Sequence, residues 1–216
     1  MKITRKKSVS VVTGSRADYY LLKNLIFQLK KSKKIKLSIL ITGQHLSKEY
    51  GYTKKEIIKD FPKICKSIDM GVKSTDSVSI LNSVGIGINK IGKYFKSNKP
   101  NLIILLGDRY EMLSVGVAAL FNNIKIAHIH GGELTAGSID DTIRHTITKF
   151  SNFHFVSNSE YKKRVIQLGE KPSTVFTVGG LGSENIRKIN CLDKENLEKI
   201  LKIKFNKYNF LISLNS

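Results

Sequence analysis

The chain has 216 residues, 41% of them hydrophobic and 25% charged, and its formal net charge is +20. That length allows one large domain or two small ones, and the composition is that of a globular chain rather than a disordered or fibrous one. No run approaches the ~18 apolar residues of a membrane span. The apolar part of the start, "MKITRKKSVSVVTG", is too short for a secretory leader, so a cytoplasmic protein without a membrane partner is expected.

Apolar and amphipathic runs then alternate. "SVSVVTG" (8–14) predicts a short buried strand closed by a glycine, and the next helix places Leu21, Leu22, Leu25, Ile26 and Leu29 on one face. "KLSILITG" (36–43) repeats the strand-then-glycine pattern, and 45–63 reads as a mixed, partly helical connection. Residues 74–97 predict a long helix capped by Asp76, in spite of three glycines. "NLIILLG" (101–107) is the clearest strand, followed by a helix over 110–121 and a strand at 124–130. A helix over 139–150, a strand at 153–157, a helix at 159–168 and a strand at 174–180 complete the series, before "SENIRKI" and "KENLEKILKI".

Continuous apolar strands separated by helices mark a parallel sheet covered on both faces, a Rossmann-like doubly wound α/β domain. In such sheets ligands bind beyond the carboxyl ends of the strands, where strand order reverses. The polar clusters "TGSRAD", "TGQH", "GDRYE" and "HIHGGE" each follow a predicted strand, so the loops at that edge are the expected site.

Charge and cysteines add exclusions. The lysines are dispersed along the chain, there is no tryptophan, and no basic stripe is interleaved with aromatics, so nucleic acid is not the expected partner. A small anionic ligand fits the excess equally well. Cys65 and Cys191 have neither CxxC nor CxxH spacing and read as free thiols.

Each cluster admits a structural and a chemical reading. "TGSRAD" (13–18) offers a helix amino terminus and Arg16 to a phosphate, or is simply a tight turn with Asp18 in the first helical turn; it is not GxGxxG. In "GDRYE" (107–111), Asp108 is a general base, a ligand to substrate hydroxyls, or the cap of the next helix, and Arg109 pairs with Asp108 or Glu111. His128 and His130 alternate along a strand, so one of them is expected to be a buried, satisfied histidine. Asp140 or Asp141 caps the helix that follows, and Arg144 lies one turn on with His145. The HxH pair lacks a third ligand at defined spacing, so no metal is assigned. In "GGLGSENI" (179–186), Ser183 caps a helix or meets phosphate through backbone amides.

Taken together, "GSRADY", "TGQHLS…YG", "GDRYE", "HIHGGELTAGSIDDTIRHTITK" and "VGGLGSENI" resemble, in order and spacing, the hydrolysing UDP-N-acetylglucosamine 2-epimerases of sialic and related nonulosonic acid pathways. The resemblance runs from about Ser10 to Ile186. It implies the two-domain glycosyltransferase-B architecture, a UDP-sugar held between two Rossmann-like halves, and no metal or nicotinamide cofactor. The implied reaction eliminates UDP across C1–C2 of the sugar and hydrates the glycal with inversion at C2. By motif, Asp108 and Asp140 match catalytic carboxylates. His130 stands where many members have the glutamate of "HIEGGE", with Glu133 nearby to share the acid–base work. Arg16 matches a diphosphate-contacting arginine, and Gln44, His45, Arg109, Arg144 and His145 match the sugar side of the cleft; Asp141, Ser183 and Glu184 join the substrate-binding set. Family members have two domains, whereas this chain stops at "YNFLISLNS". The expectation is therefore a Rossmann-like domain over 1–190, then a linker and first strand of a second domain over 191–216, in a C-terminally truncated member. A homodimer or a complementing C-terminal chain would be the protein partner, and the alternative function is a non-catalytic nucleotide-sugar-binding remnant or one half of a split enzyme.

Overall fold

The computed structural model describes residues 6–135, 137–187 and 191–213, with only the backbone of Glu184 and Arg187. Seven strands form one wholly parallel sheet: β1 (Lys7–Thr13), β2 (Ile35–Ile41), β3 (Cys65–Ser67), β4 (Leu102–Leu106), β5 (Lys125–Ile129), β6 (Phe153–Val156) and β7 (Val175–Thr177). Their order is β3-β2-β1-β4-β5-β6-β7, so the strand order reverses between β1 and β4. The helices are α1 (Arg16–Lys31), α2 (Lys54–Asp60), α3 (Ser77–Ser97), α4 (Tyr110–Phe121), α5 (Ile139–Phe150), α6 (Ser159–Gln167), α7 (Leu181–Arg187) and α8 (Lys194–Leu201).

Right-handed crossovers put α1 and α2 on one face of the sheet and α3 to α6 on the other. The strand period of two divides the core accordingly: Ile104 and Leu106 of β4 pack with Leu22, Ile26 and Ile57, while Ile103 and Leu105 pack with Ile91, Phe95 and Val115. Local chemistry starts the helices where they start. Ser15 and Asp18 form a reciprocal capping box at α1, and Asp76 accepts the Ser79 N–H at α3, as expected. In α3, Ser83, Gly87, Ile91 and Phe95 recur every fourth residue on the buried face. Gly87 is required there, since a Cβ would lie 2.9 Å from Met70 Cε and 3.0 Å from Ser114 Cβ of α4.

Two expectations differ from the structure. The sequence predicts no strand after the connection over 45–63, yet three-residue β3 closes the sheet edge at Cys65–Ser67; a strand that short carries no periodicity to read. Over 191–216, expected to hold a linker and the first strand of a second domain, the described residues 191–213 carry α8 and no strand, and Phe210, Leu211 and Ile212 are 91%, 97% and 81% exposed. Among the described residues no helix is long and apolar enough to cross a membrane.

Candidate functional site

The reversal between β1 and β4 opens a crevice at the carboxyl ends of the strands, and two polar clusters occupy it. The first is built by the loops after β1, β2 and β4. Asp18, nine-tenths buried, accepts the N–H groups of Gly14 (3.2 Å) and Ser15 (2.9 Å) through one carboxylate oxygen. The loop amides expected to hold a phosphate are thus bonded to the chain's own carboxylate, while Arg16 beside them is exposed. Glu111, fully buried, accepts from Arg109 Nε at 3.1 Å and Nη2 at 3.0 Å. That bidentate grip aims a guanidinium that stays one-third exposed. Burial pushes both the Asp18 and Glu111 carboxyls up, and the Arg109 charge between them opposes it. Gly43, at φ +59°, lets the loop after β2 lie directly against Glu111.

His45 belongs beneath this cluster rather than on its surface. Its ring nitrogens lie 2.9 Å from Thr13 Oγ1 and 2.7 Å from Thr53 Oγ1, and burial pulls its pKa down to about 4. With both nitrogens engaged and no exposed surface, its place is structural, which corrects its assignment to the ligand-lining set. Gln44, next to it in a single 3-10 turn, is half-buried.

The second cluster joins the ends of β4, β5 and β6 to α5. Arg144, nine-tenths buried, bonds the Asp108 carboxylate, approaches Glu133 Oε2 at 3.4 Å and donates to Thr135 Oγ1 at 3.1 Å. Glu133 also accepts from Ser157 Oγ at 2.8 Å and faces His130 Nδ1 at 3.4 Å. His130 Nε2 accepts the Leu181 N–H at 3.4 Å, so Nδ1 is the ring nitrogen turned to Glu133. His130 holds φ +65°, a left-handed backbone that costs a non-glycine residue about 1–2 kcal/mol. Strain of this kind gathers at functional loops. Among the described residues Arg144 Nε has no partner although it is buried, so the guanidinium keeps one unused donor.

The helix-cap readings of the acidic residues are corrected here. Asp108 does not cap α4: the N-cap is Arg109, with no side-chain bond, because Asp108 turns to Arg144. Ser138, not Asp140 or Asp141, caps α5, accepting the Asp140 N–H. Asp140 accepts from Ser138 Oγ at 2.7 Å, one helical turn before Arg144, whereas Asp141 accepts the Thr135 N–H and lies 3.8 Å from His145. Ser183 does not cap α7 either; it is the third residue of that helix and is exposed. The Glu184 side chain lies outside the described residues. His128 is the satisfied member of the histidine pair, its nitrogens 2.7 Å from Gly107 O and 3.2 Å from Thr148 Oγ1, with burial lowering its pKa to about 4.

The structure therefore brings Asp108, His130, Glu133 and Arg144 into one contact network, with Asp140 one turn away, and holds Arg109 in the neighbouring one. Reading motifs missed Ser157 and Thr135, whereas Asp18 in the first turn of α1 and the pairing of Arg109 with Glu111 stand as expected. Ser157 alone carried a signal, as the first residue beyond the carboxyl end of β6.

A doubly wound parallel sheet with an acidic, arginine-bearing cluster at its switch point defines an α/β protein of the Rossmann-like kind. A family model described as UDP-N-acetylglucosamine 2-epimerase matches residues 27–214, and the chain belongs to that family. It is 44% identical, over 96% of its length and 54% of the relative's, to a GDP/UDP-N,N'-diacetylbacillosamine 2-epimerase (hydrolyzing) of Campylobacter jejuni. It is 43% identical to the polysialic acid biosynthesis protein P7 of Escherichia coli, over 89% of this chain and 49% of that one. A UDP-N,N'-diacetylbacillosamine 2-epimerase (hydrolyzing) of Legionella pneumophila is 39% identical over 83% and 48%. The solved structure of a Neisseria meningitidis UDP-GlcNAc 2-epimerase bound to UDP-GlcNAc superposes with a TM-score of 0.71 at 19% identity, covering 91% of this chain and 51% of that one. The fold is thus the Rossmann-like half of a glycosyltransferase-B architecture, and the chain spans about half the length of the curated relatives it matches.

Proposed function

We propose that the chain forms the sugar-facing wall of a hydrolysing UDP-sugar 2-epimerase. The observation that carries this reading is the shared grip of Arg144 on Asp108 and Glu133, with His130 against Glu133. The reaction needs a base at sugar C2, an acid to return a proton there from the other side, and cations for departing UDP. Asp108, Glu133, His130 and Asp140 supply the proton-handling set, and Arg16 and Arg109 the cations. The base removes the C2 proton, the C1–O bond breaks with its electron pair leaving on UDP, and water then adds its oxygen to C1 while C2 is reprotonated on the opposite face.

Identity supports a diacetamido UDP-sugar as substrate: the relatives named for N,N'-diacetylbacillosamine reach 44% and 39%, against 30% for the N. meningitidis UDP-N-acetylglucosamine 2-epimerase. The test is UDP release from UDP-N,N'-diacetylbacillosamine and from UDP-N-acetylglucosamine in deuterated water. Release with deuterium at C2, abolished by Asp108→Asn, is the expected result; release without deuterium would refute the elimination route. A second reading is binding without turnover, which calls on Arg16 and the part-exposed Arg109 but not on the acidic cluster. Calorimetry with UDP separates the two, since heat without product supports the second and no heat removes both.

A further inference from the structure

The opposite, amino-terminal rim of the sheet carries a second feature, independent of the proposed epimerase site. Lys6, Lys7, Lys36 and Lys99, with Ser8 and Asn101, line a cavity of about 560 Å³. Lys6 and Lys7 are adjacent, and strand pairing brings the distant Lys36 and Lys99 to them: Ser8 stands opposite Lys36 in the β1–β2 register, and the Asn101 N–H reaches Ser8 O at 2.9 Å. The floor is fixed, because Ser8 N–H and Oγ–H both donate to Asn101 Oδ1 (2.8 and 3.1 Å) and Asn101 N–H donates back to Ser8 Oγ (3.1 Å). The Asn101 Nδ2 donors are left without a partner among the described residues.

None of the four ammonium groups meets a carboxylate among the described residues, unlike Lys23 with Asp60 or Lys149 with Glu170. Helix dipoles do not account for them either. Lys30, Lys31 and Lys96 sit in the last turns of α1 and α3, where cations are favoured, but Lys6, Lys7 and Lys36 belong to no helix and Lys99 lies beyond the last turn of α3. Like charges around one cavity repel within a Debye length of about 8 Å unless an anion sits between them. The six residue steps of β1 from Lys7 to Thr13, at about 3.3 Å each, put this rim roughly 20 Å from the crevice.

We infer that this cavity is a binding site for a small multivalent phosphate anion, of the triphosphate class, separate from the crevice that would hold a UDP-sugar. The probe is inorganic tripolyphosphate, titrated calorimetrically into the full chain. Lys36→Glu/Lys99→Glu should weaken binding about tenfold or more, because two attractive charges become repulsive. Lys73→Glu/Lys163→Glu, with the same change in net charge on exposed sites elsewhere, and Arg16→Ala should each change it by about twofold or less. The Ser8 and Asn101 amide resonances should shift on titration. No heat with the unaltered chain would overturn the proposal, and so would equal losses in both double variants, which would make the effect one of overall charge. A loss with Arg16→Ala would place the anion in the crevice instead. Retention on duplex DNA without any tripolyphosphate heat would replace the small ligand by nucleic acid.

Discussion

Replacing Gly43 by alanine tests how the crevice is assembled. Gly43 has φ +59°, so any side chain there carries the left-handed cost of about 1–2 kcal/mol. The added Cβ would also lie 2.7 Å from Glu111 Cγ, 2.8 Å from Gly14 O and 2.9 Å from Glu111 Oε1. Glu111 is fully buried and Gly14 O is backbone, so neither can swing aside, and overpacking of this kind costs about 1–3 kcal/mol. The expected total is about 2–5 kcal/mol, or roughly 10 °C in Tm for a chain of this size. Gly107→Ala is the matched control, with φ +76° and no atom within 4 Å of the new Cβ. It should carry the conformational cost alone, about 1–2 kcal/mol. Urea denaturation followed by circular dichroism measures both. Equal losses, or a smaller loss for Gly43→Ala, would show that the loops after β1, β2 and β4 do not close on Glu111 as described.

Arg144→Met leaves Asp108 and Glu133 facing each other without their cation and should cost about 3 kcal/mol in urea titration. Adding Asp108→Asn to it should cost less than the sum of the single changes; strict additivity would mean the two residues do not interact. The pH dependence follows from His45 and His128, each lowered by burial from the usual 6.5 to about 4. The unfolded chain binds protons there before the folded one, so stability is full above about pH 6.5 and falls as pH drops toward 4. Two such groups give a slope approaching about 3 kcal/mol per pH unit; flat stability over that window would contradict their burial. Burial also pushes the Cys65 thiol up to about 11, while Cys191 is exposed. Iodoacetamide at pH 8 should therefore label Cys191 first, with Cys65 reacting only slowly or on unfolding, as read by peptide mass spectrometry.

Much of the architecture was legible because its causes are local. The buried parallel strand "LIILL" is apolar throughout, α3 opens on its capping Asp76, and strand-end loops carry the polar clusters. The three-residue β3 was not legible, since so short a strand is made by its pairing with β2, whose residues are distant in sequence. Asp108 is instructive: judged locally it resembles a helix cap, and only the packing of α5 against α4 and β5 brings Arg144, 36 residues on, to claim its carboxylate.

Sequence by itself determined the doubly wound fold, the rim where the site lies and the motifs that mark the epimerase family, because periodicity, caps and loop chemistry are written in neighbouring residues. Tertiary structure alone decided which charges meet. It turned His45 inward, tied Glu133 to both His130 and Arg144, buried Glu111 under Arg109, and gathered Lys6, Lys7, Lys36 and Lys99 around one cavity. The reason is physical: electrostatic partners act through space over a few ångströms, and strand order, not chain order, sets those distances.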